Sequence, residues 1–317
     1  MIDFRYHLVS LIAVFLALAI GIVVGTTALN GYVVDDLRAR NGKVIRDKRG
    51  LEATVRDLRS QVSRRDEFAG EVAPQVVAGQ LIGQRVVIVT VPGASDSVAK
   101  DLTALITQAG GTTTGQLRLS ADLLDPAKSA VVDDLVARVA PAGLTLPEGA
   151  TSERAALELA AAIVTRPGPD GMTSEAAAKV IGGFTGAQLV DVRATGGSSL
   201  ARANLALVVT GGSDGHQLDD AARGRQQVLL ALVRSLDARS SGAVVVGPES
   251  AAGTGGVLAA LRGDAVLSDA VSSVDTVDTT YGGVSAILAL HEQQAGRAGR
   301  YGQGPGSQAA APTLPPR

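Results

Sequence analysis

The chain has 317 residues and a formal net charge of −2, so its overall electrostatics do not call for a nucleic-acid partner. Cysteine is absent, which excludes disulfides, thiolate metal sites and cysteine catalysis together. Tryptophan is also absent and aromatic residues make up only 3%, which removes the usual stacking surfaces for sugars or single strands.

The first predicted element is an uncharged apolar stretch from Leu8 to Leu29. As a helix it would be roughly 33 Å long at about 1.5 Å per residue, enough to cross a bilayer. Gly21 and Gly25 form a GxxxG motif, which lets two membrane helices pack closely, although small residues are common throughout this chain. A signal peptide cut after Ala19 is the alternative, but the apolar run continues past that point. Residues 1–29 are therefore predicted to be a retained membrane anchor.

The second predicted element is a coiled-coil stalk over residues 30–72, where a heptad pattern runs along the chain. Its seam positions are Leu37, Asn41, Val44, Leu51, Val55, Leu58 and Val62. A buried Asn at one such position would fix register and strand number. A parallel homodimer would place Asp47 opposite Glu52 of the second copy, a like-charge pair. A single helix that packs on its own domain is the alternative.

Strands and helices alternate over residues 80–295, which form the predicted globular domain. Apolar β-branched runs are typical of strands buried on both faces. Strands are expected at 85–91, 112–119, 188–192, 204–210 and 243–247, with edge strands at 265–267 and 274–277. Repeated strand–helix units predict an α/β fold with a doubly wound, mostly parallel, Rossmann-like sheet. The Gly-, Pro- and Ala-rich tail at 296–317 is predicted to be disordered.

Ligands in such sheets bind beyond the carboxyl ends of the strands, where four predicted loops carry small, hydroxyl or acidic residues. The candidate ligand-binding residues are Ser95, Asp96, Gly211, Gly212, Ser213, Asp214, Glu249, Asp275 and Asp278. The alternative is that Gly, Ser and Asp are simply the residues that strand-to-helix turns use.

Known catalytic motifs are absent or fit poorly, which argues against an enzyme. No dinucleotide-binding or Walker A motif follows a predicted strand. Residues 211–215 read GxSxG, as in a hydrolase nucleophile elbow, and His291 comes later in the chain. However, the helix that should begin directly after Ser213 is predicted near Asp219, and His291 falls inside a helix.

Copper favours Cys, Met and His ligands, and the chain offers Met1, Met172, His7, His216 and His291. Only His216 lies in a loop of the predicted cleft. One imidazole with Asp214 or Glu249 would suit Cu(II) and would be poor for Cu(I). We therefore expect weak copper binding or none, and no cofactor is assigned with certainty.

The opening MIDFRYHLVSLIAVFLALAIGIVVG resembles that of the actinobacterial copper-transport outer-membrane protein family. The resemblance continues through the heptad segment, RVVIVTVPG, residues 274–279 with Gly282-Gly283, and Arg300-Tyr301-Gly302. The resemblance implies a role in copper efflux and copper resistance at the cell envelope. It also implies a pore-like protein, since members of the family are regarded as pore-like. The predicted strands are short, uniformly apolar and separated by helices, which is not the alternating pattern of a membrane barrel.

Two functions follow from these observations. The first is a single-pass, membrane-anchored envelope protein in copper transport or homeostasis. The second is a noncatalytic dimeric scaffold or regulator of cell-wall enzymes, with another envelope protein as partner. Basic residues after the anchor mildly favour a cytoplasmic C-terminal domain. The family resemblance implies instead that this domain is extracytoplasmic, and we expect that location. The expected partners are membrane lipid and a second copy of the chain, and no nucleic acid.

Overall fold

The computed structural model describes residues 4–141, 150–166, 172–195 and 200–313, with the backbone alone for residues 4–5 and 27–39. The chain divides into two compact units, Met1–Arg65 and Asp66–Arg317. The side chain of the seam residue Leu37 and the copper-ligand candidate Met1 lie outside the described residues.

Helices and strands alternate through the second unit, after one long helix that begins in the first. The described helices are α1 Phe4–Val77, α2 Asp96–Gln108, α3 Ala121–Leu124, α4 Ser129–Val139, α5 Thr151–Ile163, α6 Ser174–Gly186, α7 Asp220–Arg239, α8 Val257–Gly263, α9 Ala265–Ala270 and α10 Thr280–Gln294. The described strands are β1 Arg85–Thr90, β2 Thr112–Leu119, β3 Val190–Ala194, β4 Leu205–Val209, β5 Ala243–Val246, β6 Ser272–Val274 and β7 Arg300–Tyr301.

The first unit is helical and contains one segment, Tyr6–Thr26, that is long and apolar enough to cross a membrane. A signal sequence near an N-terminus can meet the same test. Thr26 is accommodated in this segment because its hydroxyl donates to the carbonyl of Ile22 at 2.9 Å. The predicted apolar helix is confirmed, and its apolar side chains are exposed in the single chain.

The described seam side chains further along this helix are exposed as well. Val44 is 63% exposed, Leu51 68% and Leu58 54%. The helix itself agrees with the heptad prediction. Pairing with a second helix remains a prediction.

The second unit is built on a seven-stranded sheet with the order β3-β2-β1-β4-β5-β6-β7. All neighbouring pairs are parallel except β2–β3, which is antiparallel. This confirms the predicted mixed α/β class and the mostly parallel sheet. The runs of Val, Leu and Ala in β1, β4 and β5 form the centre because both of their faces are covered.

Successive residues of β1 enter two different hydrophobic clusters. Val87 and Val89 pack with side chains of α4, α5 and α7, whereas Val86 and Ile88 pack with side chains of α2 and α10. Because alternate side chains of a strand point to opposite faces, these clusters lie on the two faces of the sheet. Burying each of these aliphatic side chains is worth about 1.5–3 kcal/mol.

Three predictions of local structure are wrong. Residues 265–270 form α9 and not an edge strand, and β6 ends at Val274. The tail predicted to be disordered contains β7, which pairs with β6. Tyr301 of β7 is only 5% exposed, so the tail carries an apolar group that the sheet buries. Burial of this ring contributes to the ordering of a segment that is rich in Gly and Pro.

Candidate functional site

The loops after β1, β4 and β5 meet at the carboxyl edge of the sheet, as the parallel order requires. Gly211 lies so close to the loop after β1 that an added Cβ would stand 2.6 Å from the carbonyl oxygen of Gly93. An added Cβ at Gly212 would collide with the hydroxyl of Ser250. The glycines therefore serve close packing of one loop on the next, rather than leaving space for a ligand between them.

Ser213 has a hydrogen-bonding role in this packing. Its hydroxyl donates to the carbonyl oxygen of Thr254 at 2.6 Å and accepts from the backbone N–H of Gly215 at 3.2 Å. The helix that follows, α7, begins at Asp220 and not directly after the serine. The ring Nδ1 of His291 is hydrogen-bonded to the carbonyl of Gln80, far along the chain from Ser213. These contacts hold loops and helices together.

The remaining candidate side chains at this edge do not share a common contact. Ser95 contacts the hydroxyl of Ser97, and Asp96 forms an ion pair of 3.3 Å with Arg118 of β2. Asp214, His216, Glu249 and Asp278 are exposed. Among the residues that the structure describes, no group of three or more His, Asp or Glu side chains could hold a metal ion. Whether His216 binds copper remains a prediction.

A cavity of about 220 Å³ lies beside these loops. It is lined mainly by apolar groups, with the guanidinium of Arg225 and the amide of Gln226 at its wall. Gln226 also donates to the carbonyl of Gly256 at 3.0 Å, which ties α7 to the loop before α8. The cavity borders the predicted cleft through Pro92 and Gly255, although none of the acidic candidates lines it.

Asp275 directly follows β6 at this edge of the sheet, but its side chain is not open to a cleft. It is completely buried and forms an ion pair of 2.7 Å with Arg262, whose side chain is 4% exposed. Its carboxylate also accepts from the N–H of Gln303 at 2.8 Å, the N–H of Gly304 at 3.1 Å and the hydroxyl of Ser307 at 2.8 Å. Placing Asp275 in an open cleft was therefore wrong, because its hydrogen-bonding capacity is used by the C-terminal segment.

Arg262 completes this arrangement and was missed by the sequence reasoning. Its guanidinium donates to the carbonyls of Tyr301 and Pro305, both at 2.9 Å, and to the hydroxyl of Ser273 at 3.0 Å. Burial by itself would raise the pKa of Asp275, but these hydrogen bonds outweigh it and hold that pKa below its ordinary value. Two stretches that carried the family resemblance, 274–279 and 300–302, are thus joined by one ionic network.

Glu158 of α5 is a second buried carboxyl group that the sequence did not single out. It is fully buried, and neither side-chain oxygen accepts a hydrogen bond. Burial raises its pKa to about 7, and the charges of Arg154 and Lys179 counter only part of that effect. The sequence feature that could have indicated this buried carboxyl group was the presence of a Glu among the apolar positions of a predicted helix.

The structure defines a non-barrel α/β domain that follows a long helix with an apolar, membrane-length N-terminal segment. The family described as "Copper transport outer membrane protein, MctB" matches residues 1–312. The chain is 30% identical to "Copper transporter MctB" of Mycobacterium tuberculosis strain H37Rv over 318 residues, which cover 97% of this chain and 98% of the relative. The Mycobacterium bovis relative of the same name shows the same identity and coverage. The Mycobacterium leprae relative is 30% identical over 321 residues, again with 97% and 98% coverage. The chain belongs to this copper transport outer membrane protein family.

Proposed function

We propose that the chain is a single-pass membrane protein of the cell envelope that takes part in copper transport or homeostasis. The observation that carries the proposal is the match to the family from one end of the chain to the other, together with the apolar helix Tyr6–Thr26. This helix would hold the protein in lipid, and the α/β unit would stand on the extracytoplasmic side. The family is named for transport and not for catalysis, which favours a non-enzyme.

Copper would be the cargo of such a protein. His216, with Asp214 or Glu249, offers the ligand types that suit Cu(II), but all three side chains are exposed. We infer that the copper role does not depend on a tight site in this chain. The sheet order and the two hydrophobic clusters support a doubly wound domain, whose edge loops would then serve contacts with other molecules.

The topology can be tested with spheroplasts of cells that produce the full chain with a tag at each end. We expect protease added outside to degrade the α/β unit, because the proposed topology has that unit outside the cytoplasm. A cytoplasmic reporter protein must survive as the control. Complete protection of the α/β unit until the cells are lysed would contradict the proposed topology.

A dimeric envelope scaffold, which would present noncatalytic domains to a cell-wall enzyme, is the second candidate. The observation that favours it is the exposure of the described seam side chains, from 44% at Val55 to 68% at Leu51. Pairing with a second copy would bury this row of apolar groups and so provide the driving force. Asn41 would set the register, and the open space around Gly21 and Gly25 would accept a second membrane helix.

Changing both Leu51 and Leu58 to Asp tests this dimer. The double variant should sediment as a monomer in detergent, because four carboxylates would be buried in the seam of a dimer. The matched control changes Ala53 and Ser60, which are exposed on the opposite side of the same helix, to Asp. That control should remain dimeric. If the seam variant also remained dimeric, the interface would lie elsewhere.

A further inference from the structure

The charges of α1 are sorted by face between residues 43 and 64. In this stretch the seam residues Leu51 and Leu58 each follow an Arg by two positions, a rotation of about 200° around a helix, so Arg49 and Arg56 lie opposite the seam. This outer face carries five basic residues, Lys43, Arg46, Arg49, Arg56 and Arg64, against one acidic residue, Asp57. The acidic residues Asp47 and Glu52 instead flank the seam. We call the five basic residues the basic face.

The basic residues of this face have no acidic partner in the part of the chain that the structure describes. Lys43, Arg46, Arg49 and Arg56 make no ion pair, and Arg64 contacts the hydroxyl of Ser60 at 2.6 Å. Lys48, which lies outside this face, forms an ion pair with Glu52 at 3.7 Å. All five basic side chains are exposed. A solvated helix usually intersperses charges of both signs, so a face with five basic residues against one acidic residue is suited to an external anionic partner.

The position of the basic face along the helix separates two kinds of anion. Lys43 follows Thr26, the end of the apolar segment, by a helical path of roughly 25 Å, and the face then extends for roughly 32 Å more. Charges in a membrane surface act over about 8 Å at physiological salt. The face is therefore out of range of lipid headgroups when the helix leaves the bilayer, and its length suits an extended polymer.

We propose that the basic face binds a linear anionic polymer of the cell envelope, through its phosphate or carboxylate groups. Four of the five residues are Arg, which contacts both kinds of group through paired N–H donors. Each helix presents this face whether or not the seam is paired, and a dimer would present it twice. The binding does not depend on the proposed copper role, and it rests on the proposed topology only for the compartment in which the polymer is met.

The test uses the full chain in nanodiscs of uncharged phosphatidylcholine, with long-chain inorganic polyphosphate as the probe. Affinity is measured at several salt concentrations, because counterion release makes such binding fall steeply with salt. The outer triple variant changes Arg46, Arg49 and Arg56 to Gln. The control triple variant changes Lys48, Arg59 and Arg65 to Gln, which removes the same charge from other faces of the same helix.

We expect the outer triple variant to bind polyphosphate at least about tenfold more weakly, with a smaller salt dependence, and the control triple variant to change about threefold or less. Equal weakening by both triples would overturn the proposal, because net charge and not the face would then explain binding. Failure of the unchanged chain to bind polyphosphate would overturn it too. Binding to vesicles that contain anionic lipid, without binding to polyphosphate, would assign the face to the membrane and likewise reject the polymer. Spheroplast digestion tests the topology separately.

Discussion

Glu158 is a buried residue whose ionisation the folded second unit disfavours. Its position on α5 buries the carboxyl group completely, without a hydrogen-bond donor for either oxygen. Arg154, one turn earlier, forms an ion pair of 2.9 Å with Asp133 of α4, so that guanidinium is already engaged. Burial accordingly raises the pKa of Glu158 to about 7, even with the charge of Lys179 nearby. This makes the charge of the helical layer sensitive to pH near neutrality.

The free energy of unfolding should fall as pH rises from about 4.5 to about 7, and should level off above that range. The folded protein keeps the proton on Glu158 to higher pH than the unfolded chain does. Between the two pKa values, rising pH therefore lowers the free energy of the unfolded state relative to that of the folded state. A shift of this size corresponds to about 3 kcal/mol. Glu158→Gln should remove this decline, as measured by denaturation of the full chain over a pH series.

The matched control for this prediction is Glu153→Gln, which changes an exposed carboxyl group on the same helix. It should keep the decline of the parent protein. If Glu158→Gln retained the same pH dependence as the parent, another group would have to be responsible for it.

At the scale of single elements, the central strands could be predicted because their information is local. The runs Val86–Val89 and Ala243–Val246 are continuous, apolar and almost entirely β-branched, a composition that strongly favours buried strands. Helix α9 was mistaken for a strand because its short apolar start resembles one. Its signal was Asp264, whose carboxylate accepts from the N–H groups of Val266 and Leu267 at 3.0 and 3.1 Å and so caps the helix.

Strand β7 could not be predicted from its own residues, because its order depends on distant partners. Tyr301 is buried and its hydroxyl donates to the carboxylate of Glu292 on α10. Burial and this acidic neighbour both raise the pKa of Tyr301. Arg262 and Asp275 then hold the residues that follow β7, as described above. A local pattern of Gly and Pro carries none of this information.

The same reason explains why the candidate site was only partly predicted. The parallel order correctly placed the loops after β1, β4 and β5 at one edge, since that follows from strand direction alone. Which way a loop side chain points depends on its neighbours. Asp275 was misplaced because its partner Arg262 and the tail residues were not recognised as its surroundings.

Asp275→Asn should destabilise the second unit by about 3–5 kcal/mol, because it leaves the buried guanidinium of Arg262 without its counter-charge. The C-terminal segment should be released first, which limited proteolysis at Arg300 would detect in the full chain. The pKa of Asp275 is lowered in the folded state. The contribution of its carboxylate to stability is therefore fully present above the ordinary pKa of Asp, and it is lost as pH falls through the lowered pKa. Denaturation at neutral pH measures the total effect.

Asp278→Asn is the control, since Asp278 is exposed and only three residues further along the chain. It should change stability by less than about 0.5 kcal/mol. A comparably small effect of Asp275→Asn, with no faster cleavage at Arg300, would show that the ion pair does not hold the tail.

At the scale of the whole molecule, membership of the family and the available ligands lead to different expectations about copper. The chain aligns over 97% of its length with relatives named copper transporters. Yet it has no Cys, two Met and three His in 317 residues. Cu(I) requires sulfur or several imidazoles, whereas Cu(II) accepts imidazole with carboxylates. A role in copper transport is compatible with this composition if the chain acts through a partner or a larger assembly.

We therefore expect the full chain in detergent to bind Cu(I) weakly or not at all in competition with a chromogenic chelator. Any Cu(II) binding should be weak and should decrease in His216→Ala, because His216 is only two residues from the carboxylate-bearing Asp214 in the same loop. His7→Ala is the matched control, since it removes an exposed imidazole near the start of the apolar segment, far along the chain from this loop. Tight Cu(I) binding by the parent chain would contradict this reading of the ligands. Its loss in His216→Ala alone would make the loop after β4 a copper site, and the family name would then describe direct binding by this domain.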